Sequence, residues 1–273
     1  MVTRTRSPVE TEPAHGGRWT SLWLAEREWL WRRSEPARAH VTPGIAFVDA
    51  GGLEECVPTV RGTPDHGCAW SRAWRRHGSE DVVDCPDFVL RRALSADADA
   101  VQARYVLEGE PGYRFIWAAH ALLDLGVGAR IGLPAGQPTR LYPEAAPLID
   151  REWPRGAPYV TGCWPDPFRL ALDEFGPDDG TAVGATVLDV ATVDVVDGSA
   201  RLRMRLDTES DVPVSVSIWR NLGGFPVGRA YRSVGVEPML GRVFDLADAG
   251  PDDVARIPSS GRVEWTLHLE GSS

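Results

Sequence analysis

The chain has 273 residues, and its 29 basic residues are all arginine against 39 acidic ones, for a net charge of −10. With no lysine there is no Schiff-base or P-loop lysine, and so acidic a chain lacks the positive surface that replaces counterions on nucleic acid. The 43% hydrophobic content is that of an ordinary soluble protein, and no apolar run approaches the about 18 residues that span a bilayer.

The start, MVTRTRSPVETEPAHGG, lacks the apolar stretch of a secretory signal, so a cytoplasmic location and a loosely ordered arm over residues 1–14 are expected. Residues 21–24 and 29–33 then read as a hairpin with the polar tip Ala25-Glu26-Arg27-Glu28. Further strands are predicted over 87–94, 102–107, 113–122, 186–194, 201–206, 214–219, 231–236 and 263–269. Alternation is clearest where Leu202, Met204 and Leu206 share one face and where Val263, Trp265, Leu267 and Leu269 do. Segments 135–167 and 177–180, rich in Pro, Gly and Asp, read as long loops. Only 245–256 has helical character, and Pro251 limits it to two turns at most.

With 28 glycines and 22 prolines spread throughout, no linker and no internal repeat, the pattern predicts one all-β domain over 1–273, a large antiparallel β-sandwich. Cys56, Cys68, Cys85 and Cys163 form no CxxC pair, so they are expected to be reduced thiols outside any metal site.

Six histidines are few enough to weigh singly. His15, His40, His77 and His268 fall in polar, turn-like or outward-alternating positions and read as surface residues. His66 stands in Thr63-Pro64-Asp65-His66-Gly67, a loop of the kind on which β scaffolds carry functional groups, where a histidine capping its own turn is the plainer alternative. His120 ends the run Tyr113-Arg114-Phe115-Ile116-Trp117-Ala118-Ala119 on the face of Arg114, Ile116 and Ala118, where a core histidine is the plainer alternative. Glu237 closes the apolar run 231–236 just before Pro238, and a carboxylate there either bends to solvent or faces a cleft.

The run Gly16-Gly17-Arg18-Trp19-Thr20-Ser21-Leu22, the GGLEECVPTV segment with PDHG, and Trp70-Ser71-Arg72-Ala73-Trp74 together resemble the opening of the aldose 1-epimerase (galactose mutarotase-like) superfamily. The His120 strand followed by Gly128-Ala129-Arg130-Ile131-Gly132-Leu133-Pro134 is similar to that family's second histidine strand. The stretch from Trp219-Arg220-Asn221-Leu222-Gly223-Gly224 to Val234-Gly235-Val236-Glu237-Pro238 is similar to its glutamate segment. The resemblance implies a galactose mutarotase-like super-sandwich and a cofactor-free interconversion of sugar anomers. In it Glu237 is the base, His120 the acid, and His66 stabilises the open-chain form. The implied partner is a carbohydrate or sugar-like small molecule, taken by a monomer or homodimer.

Trp19, Trp70 and Trp74 are candidates to stack on a sugar ring and Arg72 to donate to its hydroxyls, although eleven tryptophans are also enough simply to fill a sandwich. Whether Glu54 or Glu55 faces the site stays open, and Glu55 is carried as a sugar-contact candidate. Two departures from the family pattern bear on the substrate: Ala121 and Leu122 follow His120 where relatives have an aromatic residue and a proline, and Cys68-Ala69-Trp70 stands where they carry an arginine. Rival readings are an iron site built from His66, His120 and Glu237, a noncatalytic sugar-binding protein, and the same scaffold recruited to biosynthetic epimerisation or cyclisation of a non-hexose.

Overall fold

Period-two alternation along the chain is resolved into two antiparallel sheets packed face to face, in a computed structural model that describes residues 6–273. The ten-stranded sheet runs, in spatial order, Val9–Glu12, Arg18–Leu24, Leu53–Cys56, Trp117–Leu123, Tyr231–Leu240, Val214–Phe225, Thr181–Leu188, Pro138–Leu141 and Val160–Cys163, with Arg27–Glu28 paired to Arg18–Leu24. The nine-stranded sheet runs Glu174–Phe175, Ala129–Gly132, Thr192–Asp197, Ala200–Thr208, Arg262–Ser272, Ala100–Gly109, Phe88–Ala96, Glu80–Asp84 and Arg75–His77. Among the described residues no helix is long and apolar enough to cross a membrane, and all four cysteines are free thiols.

The core fills the space between the sheets. Leu202, Met204 and Leu206, together with Val263, Trp265, Leu267 and Leu269, meet Trp117, Ala119 and Ala121 of the larger sheet in one buried cluster. Tyr105 and Trp117 contact Trp265 with ring centroids 5.4 and 5.1 Å apart, pairs that each contribute about 0.5–1.5 kcal/mol beyond area burial. A second, smaller cluster lies on the opposite face of the larger sheet: Cys56, Ile116, Ala118, Tyr142, Met239 and Phe244 belong to it. That outer face also carries the candidate site.

Several elements differ from the sequence expectation. Val9–Glu12 is not a loose arm but the edge strand of the larger sheet, paired to Arg18–Leu24; residues 1–5 of the expected arm lie outside the described residues. The hairpin turns at Ala25-Glu26, both with positive φ (49° and 60°), so Arg27–Glu28 already belong to the return strand. Within 135–167, Pro138–Leu141 and Val160–Cys163 pair with each other at a sheet edge, where Pro138 takes the first strand position that proline tolerates. The segment 186–194 holds the end of one strand and the start of another: the chain turns at Asp189 (φ 57°) and passes from one sheet to the other. The segment 113–122 is likewise broken, with Arg114–Phe115 pairing to Ala255–Arg256 before Trp117–Leu123 begins. Only one 3-10 turn, Leu246–Asp248, forms in 245–256.

Candidate functional site

Register carries the polar residues of the outer face into a single row. Glu54 pairs with His120, and the register on either side, Ala118 with Met239 and Leu122 with Gly235, sets His120 opposite Glu237. Glu237 pairs in turn with Ser217, Ser217 with Thr186, and Thr186 with Arg140. Alternation sends the flanking residues inward, Ala119 and Ala121 from one strand and Val234 and Val236 from the next, so the row stands against apolar sheet on both sides.

His120 and Glu237 do not sit at strand ends as the sequence implied; both are interior to their strands. The ladder between these strands breaks off after Ala118 and Met239 and resumes at Leu122 and Gly235, and Pro238, inside the gap, has no N–H to donate. Across that gap His120 Nε2 lies 3.7 Å from Glu237 Oε1. Gly235 makes the approach possible, because a β-carbon there would fall 2.5 Å from Glu237 Oε1. The two groups are 8% and 2% exposed. Burial pushes the Glu237 carboxyl up, against the pull of His120 and Arg61, and burial lowers the His120 imidazole, against the pull of Glu237. Their proton affinities therefore converge.

His66 comes to the same place from its loop. The residue holds a left-handed conformation (φ 58°), its N–H donates to Val60 O, and Gly67 beside it packs so closely on Val57 that no β-carbon fits. Its ring meets His120 edge-on at 5.0 Å between centroids, and its Nδ1 lies 3.1 Å from Asp65 Oδ1. Burial works against ionisation of Asp65, but His66 and Arg61 together hold its carboxyl below the ordinary value. Phe47 stacks face to face on His66, with centroids 3.6 Å apart and planes 8° from parallel, and reaches His120 at 5.9 Å. The three residues matched to the family motifs are thus gathered on one face of one sheet.

Two further groups border this row, and the sequence reading contained neither. On one side Arg61 binds Glu144 through both terminal nitrogens, at 2.6 and 3.2 Å, over the rings of Phe244, Tyr142 and Trp219. Gly184 leaves room for this pair, since a β-carbon there would lie 2.7 Å from Glu144 Oε1. On the other side Tyr231 OH donates to Asp49, and Tyr231 stacks on Trp31 with centroids 5.0 Å apart. Tyr231 and Trp219 alternate onto the same outer face as Glu237 and Ser217, a signal that was present in the strand pattern. Phe47 and Asp49 lie in an irregular loop with no periodicity.

Four of the five predicted sugar contacts are placed in the interior. Trp19 belongs to the core, Trp74 is buried with its Nε1 donating to Ala69 O, and Trp70 donates to Asp65 O while backing Phe47 edge-on at 4.9 Å. Glu55 is 0% exposed: it pairs with Arg92 at 3.0 Å and accepts from Tyr105 OH and Trp117 Nε1. A sugar cannot reach Trp19 or Glu55. Arg72 lines, with His15, Ser71 and Asp84, a separate cavity of about 420 Å³ whose wall includes none of His66, His120 and Glu237. Among the described residues no three His, Cys, Asp or Glu side chains converge as metal ligands.

Glu54, though in the polar row, turns to Arg38, 2.8 Å away, which also donates to His15 O and Trp70 O. Burial pushes the Glu54 carboxyl up to about 8, outweighing the attraction of Arg38, whose own value burial lowers. A carboxyl raised in the fold contributes stability that is fully present below its ordinary 4.5 and is lost as pH rises through about 8. Urea unfolding should therefore show wild type losing on the order of a few kcal/mol more than Glu54→Gln between these pH values. Parallel pH profiles for the two proteins would mean that Glu54 stays ionised beside Arg38.

No protein-family model matches the sequence, and no relative is found among curated proteins. Solved structures nevertheless share the fold, a galactose mutarotase-like β-sandwich. The Slr1438 protein of Synechocystis superposes with a TM-score of 0.70 over 97% of this chain and 91% of that one, at 12% identity. A galactose mutarotase related enzyme from Lactobacillus acidophilus gives 0.63 over 97% and 94%, at 13% identity. A galactose mutarotase-like protein from Lactobacillus casei gives 0.56 over 95% of each chain, at 14% identity.

Proposed function

We propose that the chain is an aldose 1-epimerase-type isomerase that interconverts sugar anomers by opening and closing the hemiacetal ring. The observation that carries this reading is the His120–Glu237 pair, 3.7 Å apart on adjacent strands, with proton affinities that burial drives towards each other. Ring opening needs a base for the C1 hydroxyl proton and an acid for the ring oxygen, both within reach of one carbon. With the pair as carboxylate and imidazolium, Glu237 takes the hydroxyl proton, the C1–O bond to the ring oxygen breaks, and His120 Nε2 protonates that oxygen. The pair is left as carboxylic acid and neutral imidazole. Rotation about C1–C2 in the free aldehyde and the reverse transfers give the other anomer.

The pair is net neutral before and after, so the transfer creates no net charge in a site where charge is costly. Burial, by raising the carboxyl and lowering the imidazole, brings the two states nearer in energy than they would be in water, which favours transfer in either direction. His66, stacked on Phe47 and edge-on to His120, is the group assigned to stabilise the open-chain oxygen.

Freshly dissolved single anomers of free aldoses, followed by polarimetry or NMR exchange, test the proposal. Anomer exchange should exceed the spontaneous rate and survive chelator treatment. No acceleration across a panel of pentoses and hexoses would sink the isomerase reading, and activity lost to chelator and restored by iron would favour a two-histidine, one-carboxylate metal site instead.

A further inference from the structure

Arg61 is the guanidinium that borders the reacting pair. Its charge draws the Glu237 carboxyl down, against the burial that raises it overall. It also lies 6.0 Å from the ring of Trp219, whose strand partner is Gly235, the residue over which the Glu237 carboxylate folds. Its side chain is about one-third exposed, so it reaches solvent beside the pair rather than the core. Both terminal nitrogens are bound by Glu144, and Glu144 is fixed by the Gly184 N–H at 2.9 Å, in a seat that only glycine leaves open. Aromatic faces of Phe244 and Tyr142 hold the guanidinium plane at 4.7 and 5.2 Å. Arg61 is therefore rigid and carries N–H groups not used by Glu144, but its charge is already paired with a carboxylate.

The other charged groups around the cleft do not replace that charge. Arg33 lies over Tyr231 and pairs with Glu35, and Arg38, 4% exposed, spends its N–H groups on Glu54, His15 O and Trp70 O, out of a ligand's reach. Asp49 and Asp65 lie near His120, and among the described residues neither forms an ion pair with an arginine, although Arg61 draws the Asp65 carboxyl down from farther away. Hydroxyl groups would find carboxylate acceptors and fixed N–H donors here. A phosphate monoester, carrying about −1.5 to −2, would find carboxylates with no uncompensated cation.

We infer that Arg61 is a specificity-determining residue of the cleft, and that its pairing with Glu144 lets it bind sugar hydroxyls while rejecting phosphorylated and carboxylated sugars. The inference rests on the isomerase reading above. Removing the Glu144 charge exposes the Arg61 charge to the ligand; Glu144→Gln keeps an oxygen for the Gly184 N–H, so the seat is preserved.

Anomer exchange is measured on a free aldose and on its 6-phosphate, at low and high ionic strength. Wild type should favour the free sugar by at least about tenfold in kcat/KM, and the preference should shrink with salt, as a charge effect does and a steric one does not. Glu144→Gln should narrow the preference by about tenfold, mainly through KM for the phosphorylated sugar, and adding Arg61→Gln should abolish that gain. Circular dichroism and melting establish that both variants are folded. Equal or better turnover of the phosphate by wild type, or a preference unmoved in folded Glu144→Gln, overturns the inference and leaves the isomerase reading standing. Failure to accelerate either sugar overturns the isomerase reading and the inference with it.

Discussion

Replacing Glu237 with glutamine is expected to leave sugar binding in place while slowing anomer exchange by about 10²–10⁴-fold, or about 3–5 kcal/mol. Glutamine keeps the shape that Gly235 accommodates and a hydrogen-bonding oxygen towards His120, and loses only the basic oxygen to which the proposed mechanism assigns the hydroxyl proton. Because burial disfavours the charged carboxylate, the variant should melt no lower than wild type, which separates lost chemistry from lost structure. Exchange is read by NMR, and binding by titration calorimetry. Wild-type activity undiminished in the variant would put the base elsewhere. Equal binding by both proteins with no acceleration by either would make the cleft that of a sugar-binding protein, and binding of no simple sugar would point to the residues after His120, Ala121 and Leu122, and to Cys68 as marks of another substrate.

The sheets were legible in the sequence because alternation is local. Leu202, Met204 and Leu206 announce their face within five positions, and Val263 to Leu269 within seven. Corners were less legible: Asp189 turns the chain between sheets with no glycine or proline at the turn, and Ala25-Glu26 form a positive-φ hairpin turn without the usual glycine. The three residues His66, His120 and Glu237 were legible through motif resemblance, while their convergence depended on register, which no local pattern encodes. Phe47, Asp49 and Arg61 were missed for the same reason. Asp49 meets Tyr231 across 182 positions and Arg61 meets Glu144 across 83, and such partners are chosen by the sheet, not by sequence neighbours. The tryptophans misled in the opposite direction, since an aromatic residue near a functional motif and one that fills the core carry the same local signature.

Glu55 shows how that ambiguity is decided, and the Glu55→Ala variant is expected to fail by unfolding rather than by losing sugar. Its carboxylate holds Arg92 at 3.0 Å, Tyr105 OH at 2.8 Å and Trp117 Nε1 at 3.1 Å, all without solvent contact. Removal leaves Arg92 with Asp81 alone, at 3.3 Å, and strands two buried donors in a cluster of aromatic rings. Breaking such a buried pair from one side costs about 3–5 kcal/mol, because the remaining charge and donors keep their desolvation penalty and lose their partner. In a chain of this size that is a fall in Tm of roughly 10 °C, measurable by scanning calorimetry. Glu55→Gln, which keeps one acceptor oxygen and shape, should fall less. A Glu55→Ala protein that melts like wild type but no longer binds sugar would return Glu55 to the cleft, and would require the Trp117 strand to present its other face to solvent, which the alternation of Ala119 and His120 forbids.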